Sequence, residues 1–279
     1  LDFSKAFDMV PHDQLLGKLQ FYGINGAILS WIATFLKQRV QCVVVDGARS
    51  GNVTVDSGVP QGTVLGPLLF LLFINDLPNN VTSSVSLFAD DCILYRPIRE
   101  LEDQINFQND LNSLVEWGNI WGMKFNVSKC NVMRVSRSTQ PLTKLYTLEG
   151  QVLEEVNESK YLGITISNEL TWSSHITGIT NKANRTLGFL KRNLKCCPQK
   201  LKETSYLSLV RSTLEYSAPI WDPYLKSDIT KLEKVQRKAA RFVLNDYRYT
   251  CKVNSMLNQL GWRDLESSRR DLRLALLFK

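Results

Sequence analysis

The feature that most constrains this chain is a pair of adjacent aspartates inside an apolar segment, residues 85–95, with the sequence VSLFADDCILY. Apolar and β-branched residues on both sides of Asp90 and Asp91 predict two strands joined by a tight turn that carries both acids. The segment contains no Lys or Arg, so the two carboxylates repel each other unless a cation lies against them. The pair therefore predicts a site for a divalent metal ion. A polar turn that binds nothing is the alternative.

A third acid stands at the start of the chain, in the block LDFSKAFD at residues 1–8. The short apolar beginning predicts the end of a central strand, after which the chain turns into a helix that starts near Pro11. If this strand lies beside the aspartate hairpin, Asp2 faces Asp90. Two metal ions about 4 Å apart suit in-line displacement at phosphorus. On the alternative interpretation, Asp2 only begins a loop.

Four blocks occur in a fixed order: LDFSKAFD, GVPQGTVLGPLLF at residues 58–70, FADD at residues 88–91, and NVSKC at residues 126–130. Together they resemble the reverse transcriptase domain of non-LTR (LINE-type) retrotransposons. The resemblance covers nearly the whole chain, and its start inside the first block suggests a partial chain. It implies an α+β fold of the right-hand polymerase type, with an antiparallel palm sheet, a helical thumb-like region, and fingers that are largely missing.

The resemblance also implies roles for particular residues. Asp2 and Asp90 would ligate two Mg²⁺ ions, with Mn²⁺ as an alternative, and Asp91 would support them. Lys129 would lie near the departing pyrophosphate, although a solvated turn lysine is the other interpretation. The implied substrate contacts are Phe3, Ser4, Lys5, Ala6, Phe7, Pro60, Gln61 and Gly62, and the implied primer contacts in the YLG block are Tyr161, Leu162 and Gly163.

Two of these assignments have a structural alternative. Phe7 would exclude a ribose 2′-hydroxyl, or it would be an ordinary core aromatic. The loop around Gln61 would contact the incoming nucleotide and the template base, with Gly58 and Gly62 leaving room for substrate, or its glycines would serve only the turns.

Charge is unevenly divided along the 279 residues. Residues 1–177 hold 13 Lys or Arg against 18 Asp or Glu, whereas residues 178–279 hold 21 against 9. The second part is thus suited to a polyanion, with a solvated basic surface as the alternative. Its basic residues recur at helical spacing beside apolar ones, which predicts phosphate contacts along one helix face. The implied template and primer contacts on this helix are Lys234, Arg237, Lys238 and Arg241.

The predicted organisation is a palm with part of the fingers at residues 1–170, followed by a basic, helical, thumb-like region at residues 171–279. At 44% hydrophobic residues the chain can bury a core, and Trp31, Trp117 and Trp121 are expected in it. The longest apolar run, residues 64–74, is too short to span a membrane and predicts a buried helix. Six scattered cysteines and two separated histidines lack the spacing of a zinc site and are typical of reduced thiols inside a cell.

The function implied is RNA-directed DNA polymerisation, with an RNA template, a DNA primer and deoxynucleoside triphosphates as partners. The location expected is intracellular, in the nucleus or cytoplasm, as a retroelement ribonucleoprotein. The alternatives are a truncated remnant that only binds nucleic acid, an RNA-templated RNA polymerase, and a maturase-like splicing factor. Phe7 and the thumb resemblance speak against the RNA polymerase, and the sequence predicts no oligomeric state.

Overall fold

The computed structural model describes residues 1–37, 39–138, 142–248 and 251–278. It divides into two compact units, Leu1–Val156 and Asn157–Lys279. The sequence predicted the division at residue 170. The structure has it earlier, after Val156, because the hairpin at residues 158–167 belongs to the second unit. Ile164 of this hairpin is buried in the core of that unit.

Over residues 1–37, 39–138 and 142–156, the first unit contains five α-helices, short 3₁₀ segments at Leu77–Asn80 and Val127–Lys129, and ten strands. The helices are α1 (Ala6–Met9), α2 (His12–Phe21), α3 (Gly26–Leu36), α4 (Leu65–Ile74) and α5 (Leu101–Ile120). The strands are β1 (Val40–Gln41), β2 (Val44–Val45), β3 (Ala48–Arg49), β4 (Val53–Thr54), β5 (Ser84–Phe88), β6 (Asp91–Tyr95), β7 (Asn131–Val132), β8 (Thr147–Leu148), β9 (Gln151–Val152) and β10 (Glu154–Glu155).

Most of the strand pairing in the described part of this unit joins segments that are close in sequence. β5 pairs antiparallel with β6, β8 with β9, β2 with β3, and β1 with β4. β7 pairs parallel with β10, which is distant in sequence. The segment around Phe3 bridges Phe125 in the antiparallel sense. The architecture is therefore a mixed α/β unit with small sheets, and its helices follow the expected pattern to within a few residues.

The core of the first unit forms where α2, α4 and α5 pack together. α4 is apolar along its length, and Phe70 and Phe73 are fully buried. α5 begins with a capping box between Glu100 and Asp103, which satisfies backbone N–H groups that its first turn leaves free. Trp117 is buried as expected and Trp121 packs against the core. The expectation for Trp31 was wrong: this side chain is 57% exposed on α3.

The second unit begins with a hairpin of β11 (Glu158–Tyr161) and β12 (Ile164–Ser167) and is otherwise helical. Its helices are α6 (Ser173–Asn193), α7 (Gln199–Tyr206), α8 (Ser212–Glu215), α9 (Ala218–Trp221), α10 (Lys226–Leu244), α11 (Val253–Gln259) and α12 (Leu265–Leu277). A π-helical segment, Leu207–Arg211, joins α7 to α8.

The core of the second unit is built mainly by α6 and α10, with Trp221 fully buried among them. α10 is amphipathic: Leu232, Val235 and Ala239 point inward, whereas Lys234 and Arg237 are exposed. Charged groups also lie inside. Asp228 and Lys202 are buried, and Arg269 is fully buried with its Nε donating to Oδ1 of Asp222 at 2.7 Å. Among the described residues, no helix has the length and apolar character needed to cross a bilayer.

Candidate active site

Asp2 lies in a segment that is hydrogen-bonded on both sides. The amino group of Leu1 donates to the Cys92 carbonyl at 2.7 Å, and the Cys92 N–H donates to the Leu1 carbonyl at 3.4 Å. On the other side, the Asn126 N–H donates to the Asp2 carbonyl and the Ser4 N–H to that of Lys124, both at 2.8 Å. The segment around Asp2 thus pairs with the start of β6 on one side and with residues 124–126 on the other, although Asp2 itself belongs to none of the named strands.

The register of this pairing determines which aspartate faces Asp2. Two residues that exchange both backbone hydrogen bonds form an antiparallel pair, and the Cα atoms of the next pair are about 4.5 Å apart. Counted from Leu1 and Cys92, the next pair is Asp2 and Asp91. The side chains of an opposed pair project from the same face of the sheet. By this register, Asp91 is the residue opposite Asp2.

The turn of the hairpin differs by one residue from the prediction. Ala89 and Asp90 form it, and Asp91 is already the first residue of β6, opposite Phe88. Ala89 has φ 51°, the left-handed region that a non-glycine residue seldom adopts. Asp90 is half-buried in the turn and Asp91 is exposed, so the two adjacent acids have different surroundings.

The Asp2 carboxylate is suited to a cation. Its Oδ2 is buried without a hydrogen-bond partner, and the nearby opposite charge is Nζ of Lys129 at 3.5 Å. A buried carboxylate oxygen without a donor is unfavourable unless positive charge compensates it. Two buried thiols lie close by, since Sγ of Cys130 accepts the Asp2 N–H at 3.3 Å and Cys92 pairs with Leu1. Burial raises the pKa of both thiols, that of Cys92 to about 11, so the ionised ligands here are oxygens.

Within the described part of the chain, no three His, Cys, Asp or Glu side chains form a ready-made metal cluster. Mg²⁺ is commonly bound by one or two protein carboxylates, and water and substrate phosphates complete its coordination. Asp2 and Asp91 supply two such carboxylates on one face. The convergence of Asp90 with them at a single point stays a prediction.

The Gln61 loop is attached to the segment that follows Asp2. The Val59 N–H donates to the Phe7 carbonyl at 2.7 Å, and Nε2 of His12 donates to the Gly58 carbonyl at 2.8 Å. Nε2 of Gln61 donates to Oδ1 of Asp8 at 3.0 Å. Pro60 is buried, whereas Gln61 and Gly62 are exposed. Sequence reasoning missed the positioning roles of Asp8 and His12, although Asp8 closes the first block.

The two glycines of this loop serve different purposes. Gly58 has φ +86°, and a Cβ atom there would lie 2.8 Å from the backbone of Asp8. Its missing side chain therefore makes room for the chain itself, not for a substrate as expected. Gly62 has φ +77°, and a Cβ atom at this position would have no other atom within 4 Å. The surface beside Gln61 is therefore open.

The remaining predicted residues of the first unit divide into buried and accessible groups. Phe3 and Ala6 are in the core, so only their backbones could meet a substrate, whereas Lys5 is exposed and Ser4 is half-buried. The half-buried Phe7 ring stacks on Phe70, with ring centroids 4.5 Å apart. Lys129 ends the 3₁₀ segment Val127–Lys129 with its side chain 68% exposed.

In the second unit, the YLG block forms the end and turn of a hairpin. Tyr161 ends β11, and Leu162 and Gly163 form the turn with φ 46° and 84°. The Tyr216 hydroxyl donates to the Leu162 carbonyl at 3.1 Å, which fixes the turn. On α10, Nζ of Lys238 donates to Oδ1 of Asn184 at 3.2 Å, and Nη1 of Arg241 donates to the Arg248 carbonyl at 3.3 Å.

Comparison with known proteins identifies the class to which this site belongs. A family profile described as reverse transcriptase (RNA-dependent DNA polymerase) matches residues 1–166, and the chain belongs to that family. The expected resemblance to the reverse transcriptases of non-LTR retrotransposons is confirmed.

Individual relatives come from mobile elements of insects. The chain is similar to a probable RNA-directed DNA polymerase from transposon BS of Drosophila melanogaster, with 28% identity over 95% of this chain and 31% of the relative. It is 30% identical to the RNA-directed DNA polymerase from mobile element jockey of Drosophila melanogaster, over 86% of this chain and 27% of the relative. A Pol polyprotein from type-1 retrotransposable element R2 of Popillia japonica is 28% identical over 74% of the chain and 35% of the relative. The chain thus spans about a third of the length of these curated relatives or less.

Proposed function

We propose that this chain carries the active site of an RNA-directed DNA polymerase, which joins a deoxynucleoside triphosphate to the 3′-hydroxyl of a DNA primer on an RNA template. One observation carries the proposal. Asp2 has a buried, unpartnered carboxylate oxygen, and its segment is hydrogen-bonded directly to the strand that follows the Ala89–Asp90 turn. This oxygen has Lys129 Nζ at 3.5 Å as its ion-pair partner but accepts no hydrogen bond, so it has room for a divalent ion as a ligand.

Asp2, Asp90 and Asp91 would hold two divalent ions, Mg²⁺ or alternatively Mn²⁺. When bound, such ions acidify the attacking hydroxyl and stabilise the leaving oxygen. The all-oxygen ligand set supports this assignment, because Cys92 and Cys130 stay neutral thiols.

The neighbouring residues of the chain have separate tasks. Lys129 supplies a proton to the departing pyrophosphate, for which its exposed ammonium beside Asp2 is suitably placed. Phe7, held by its stack on Phe70, limits space at the sugar and disfavours a ribose 2′-hydroxyl. Gln61, oriented by Asp8, offers amide hydrogen bonds to the nucleotide or template base.

On this proposal, residues 1–170 form the palm with part of the fingers, and residues 171–279 form the thumb-like region. The hairpin turn at Leu162 and Gly163 supports the primer. The exposed face of α10, with Lys234 and Arg237, contacts backbone phosphates. The protein would act inside the cell, as part of a retroelement ribonucleoprotein.

Primer extension on an RNA template with Mg²⁺ tests the proposal. Asp90→Asn should slow extension by more than the roughly 100-fold that loss of an outer-shell partner costs at metal sites. Asp56→Asn, which removes the charge of an exposed acid, is the matched control and should leave the rate unchanged. Equal rates for wild type and Asp90→Asn, with template–primer still bound, would favour the non-catalytic remnant instead.

A further inference from the structure

The second unit contains a cavity of about 210 Å³ that is rich in lysine. It is lined by Lys191, Lys195, Lys202, Phe242, Asn245 and Tyr247. The lysines come from the end of α6, the residues after it, and α7, whereas the other three lie at and beyond the end of α10. Three separate stretches of chain thus form one concave surface, and two of them bring its positive charge.

Lys202 is the deepest of the three lysines. It is only 5% exposed, and its Nζ lies 5.6 Å from the centre of the Phe242 ring. Lys191 is half-buried, with Nζ 5.9 Å from the Tyr247 ring. Aromatic faces attract cations only weakly and cannot replace the hydration that a buried ammonium loses.

No acid in residues 142–248 and 251–278 is ion-paired with any of the three lysines. The nearby carboxylates are engaged elsewhere, since Asp246 pairs with Arg248 at 2.8 Å and Glu203 accepts the Trp262 indole N–H at 3.1 Å. Lys238 adds further positive charge, and the pKa of Lys191 is lowered by burial and then by Lys238. The cavity therefore collects positive charge that the described protein does not neutralise.

We propose that this cavity is a binding site for a single phosphate group. Its volume is below the roughly 300 Å³ at which small-molecule pockets begin, so it suits one phosphate and not a whole nucleotide. Three ammonium groups supply donors for the phosphate oxygens. A phosphate at the end or within the backbone of a nucleic-acid strand and free inorganic phosphate share this chemistry. The site does not depend on nucleotide addition.

The test measures protection of lysines from an amine-modifying reagent, read residue by residue by mass spectrometry on the full chain. The three probes are inorganic phosphate, a short single-stranded DNA with a 5′-phosphate, and the same DNA without it. Phosphate should protect Lys191, Lys195 and Lys202, whereas the exposed Lys200 on α7 should react as before. Protection by the 5′-phosphorylated strand alone would identify a strand end as the source. Equal protection by both strands would identify a backbone phosphate, and protection by inorganic phosphate alone would identify the free ion.

Lys202→Met keeps the apolar stem and removes the charge. It should weaken binding of the protecting probe about tenfold or more, because one charge-assisted hydrogen bond is lost. Lys200→Met removes the same charge from the exposed side of α7 and should leave the affinity unchanged, and Lys202→Arg should restore most of it. If Lys202→Met fails to fold, Lys195→Met replaces it, because Lys195 is exposed. Absence of protection by all three probes, or equal losses in the Lys200 and Lys202 variants, would overturn the proposal, and neither result depends on polymerase activity.

Discussion

Nζ of Lys129 lies 3.5 Å from Oδ2 of Asp2, a carboxylate oxygen that has no hydrogen-bond donor of its own. The two residues are far apart in sequence and meet because the backbone of Asn126 pairs with that of Asp2. A carboxylate and an ammonium group are thus adjacent. This relationship leads to the first prediction.

Lys129→Met should slow single-nucleotide incorporation about 100-fold or more, the usual contribution of a general acid. Lys129→Arg should be nearly as slow, because a guanidinium keeps the charge but does not release its proton. Rapid-quench kinetics measures both rates. Lys124→Met, which removes an exposed lysine just before the same segment, should leave the rate unchanged. A wild-type rate in the Arg variant would show that charge alone is needed.

Phe7→Val should let ribonucleotides compete with deoxynucleotides, because the aromatic ring no longer fills the space beside the sugar. The ratio of kcat/KM for the two substrates should fall about 10- to 100-fold, the range for a steric pocket. Phe7→Tyr keeps the ring and its stack on Phe70 and should retain the discrimination. Unchanged discrimination in Phe7→Val would assign Phe7 to packing only.

Gly58→Ala should destabilise the first unit by about 1–3 kcal/mol, because alanine is strained at φ +86° and its Cβ would meet the Asp8 backbone. Gly17→Ala makes the same change inside α2, where no atom lies within 4 Å of the new Cβ. It should stabilise by about 0.4–1 kcal/mol. Urea unfolding of both variants measures the difference. Equal free energies of unfolding would contradict the close approach at Gly58.

Acid should weaken the second unit through His175. The ring is buried, Thr165 donates its N–H to Nδ1, and burial followed by the charge of Lys160 lowers the pKa. The unfolded chain therefore binds a proton at higher pH than the folded chain does. Stability is present above the unfolded pKa of about 6.5 and is lost as the pH falls through the folded value.

His175→Gln removes this titration and offers an amide oxygen for the Thr165 N–H. Thermal unfolding followed by circular dichroism should therefore show a smaller loss of stability in the variant between about pH 7.5 and about pH 5, the range in which histidine titrates. The same loss in both proteins would mean that other groups determine the acid sensitivity.

The elements of this chain could be predicted well where local pattern decides them. The helix predicted to start near Pro11 is α2, which begins at His12, because helix starts are local signals. The turn at Ala89 and Asp90 was misplaced by one residue. Two adjacent acids look like a turn in sequence, but the register of β5 and β6 put Asp91 on a strand.

The sequence could not predict the features that depend on tertiary packing. The exposure of Trp31 depends on what packs against α3, and the need for glycine at residue 58 depends on the backbone of Asp8. The sequence predicted that Asp2 faces Asp90, whereas the backbone register puts Asp91 opposite Asp2, because register between distant segments has no local signal. The lysine cavity could not be predicted for the same reason, since in the sequence its three lysines look like ordinary surface charges.

The Asp2 segment forms hydrogen bonds to distant parts of the chain. Leu1 bonds to Cys92, 91 positions away, and Asp2 bonds to Cys130, 128 positions away. Contacts of such long range carry a loop-closure cost and form slowly compared with helices. The face that carries Asp2 and Asp91 is therefore expected to form only after most of the first unit has folded. A nascent or partly unfolded chain would contain both aspartates without holding them together.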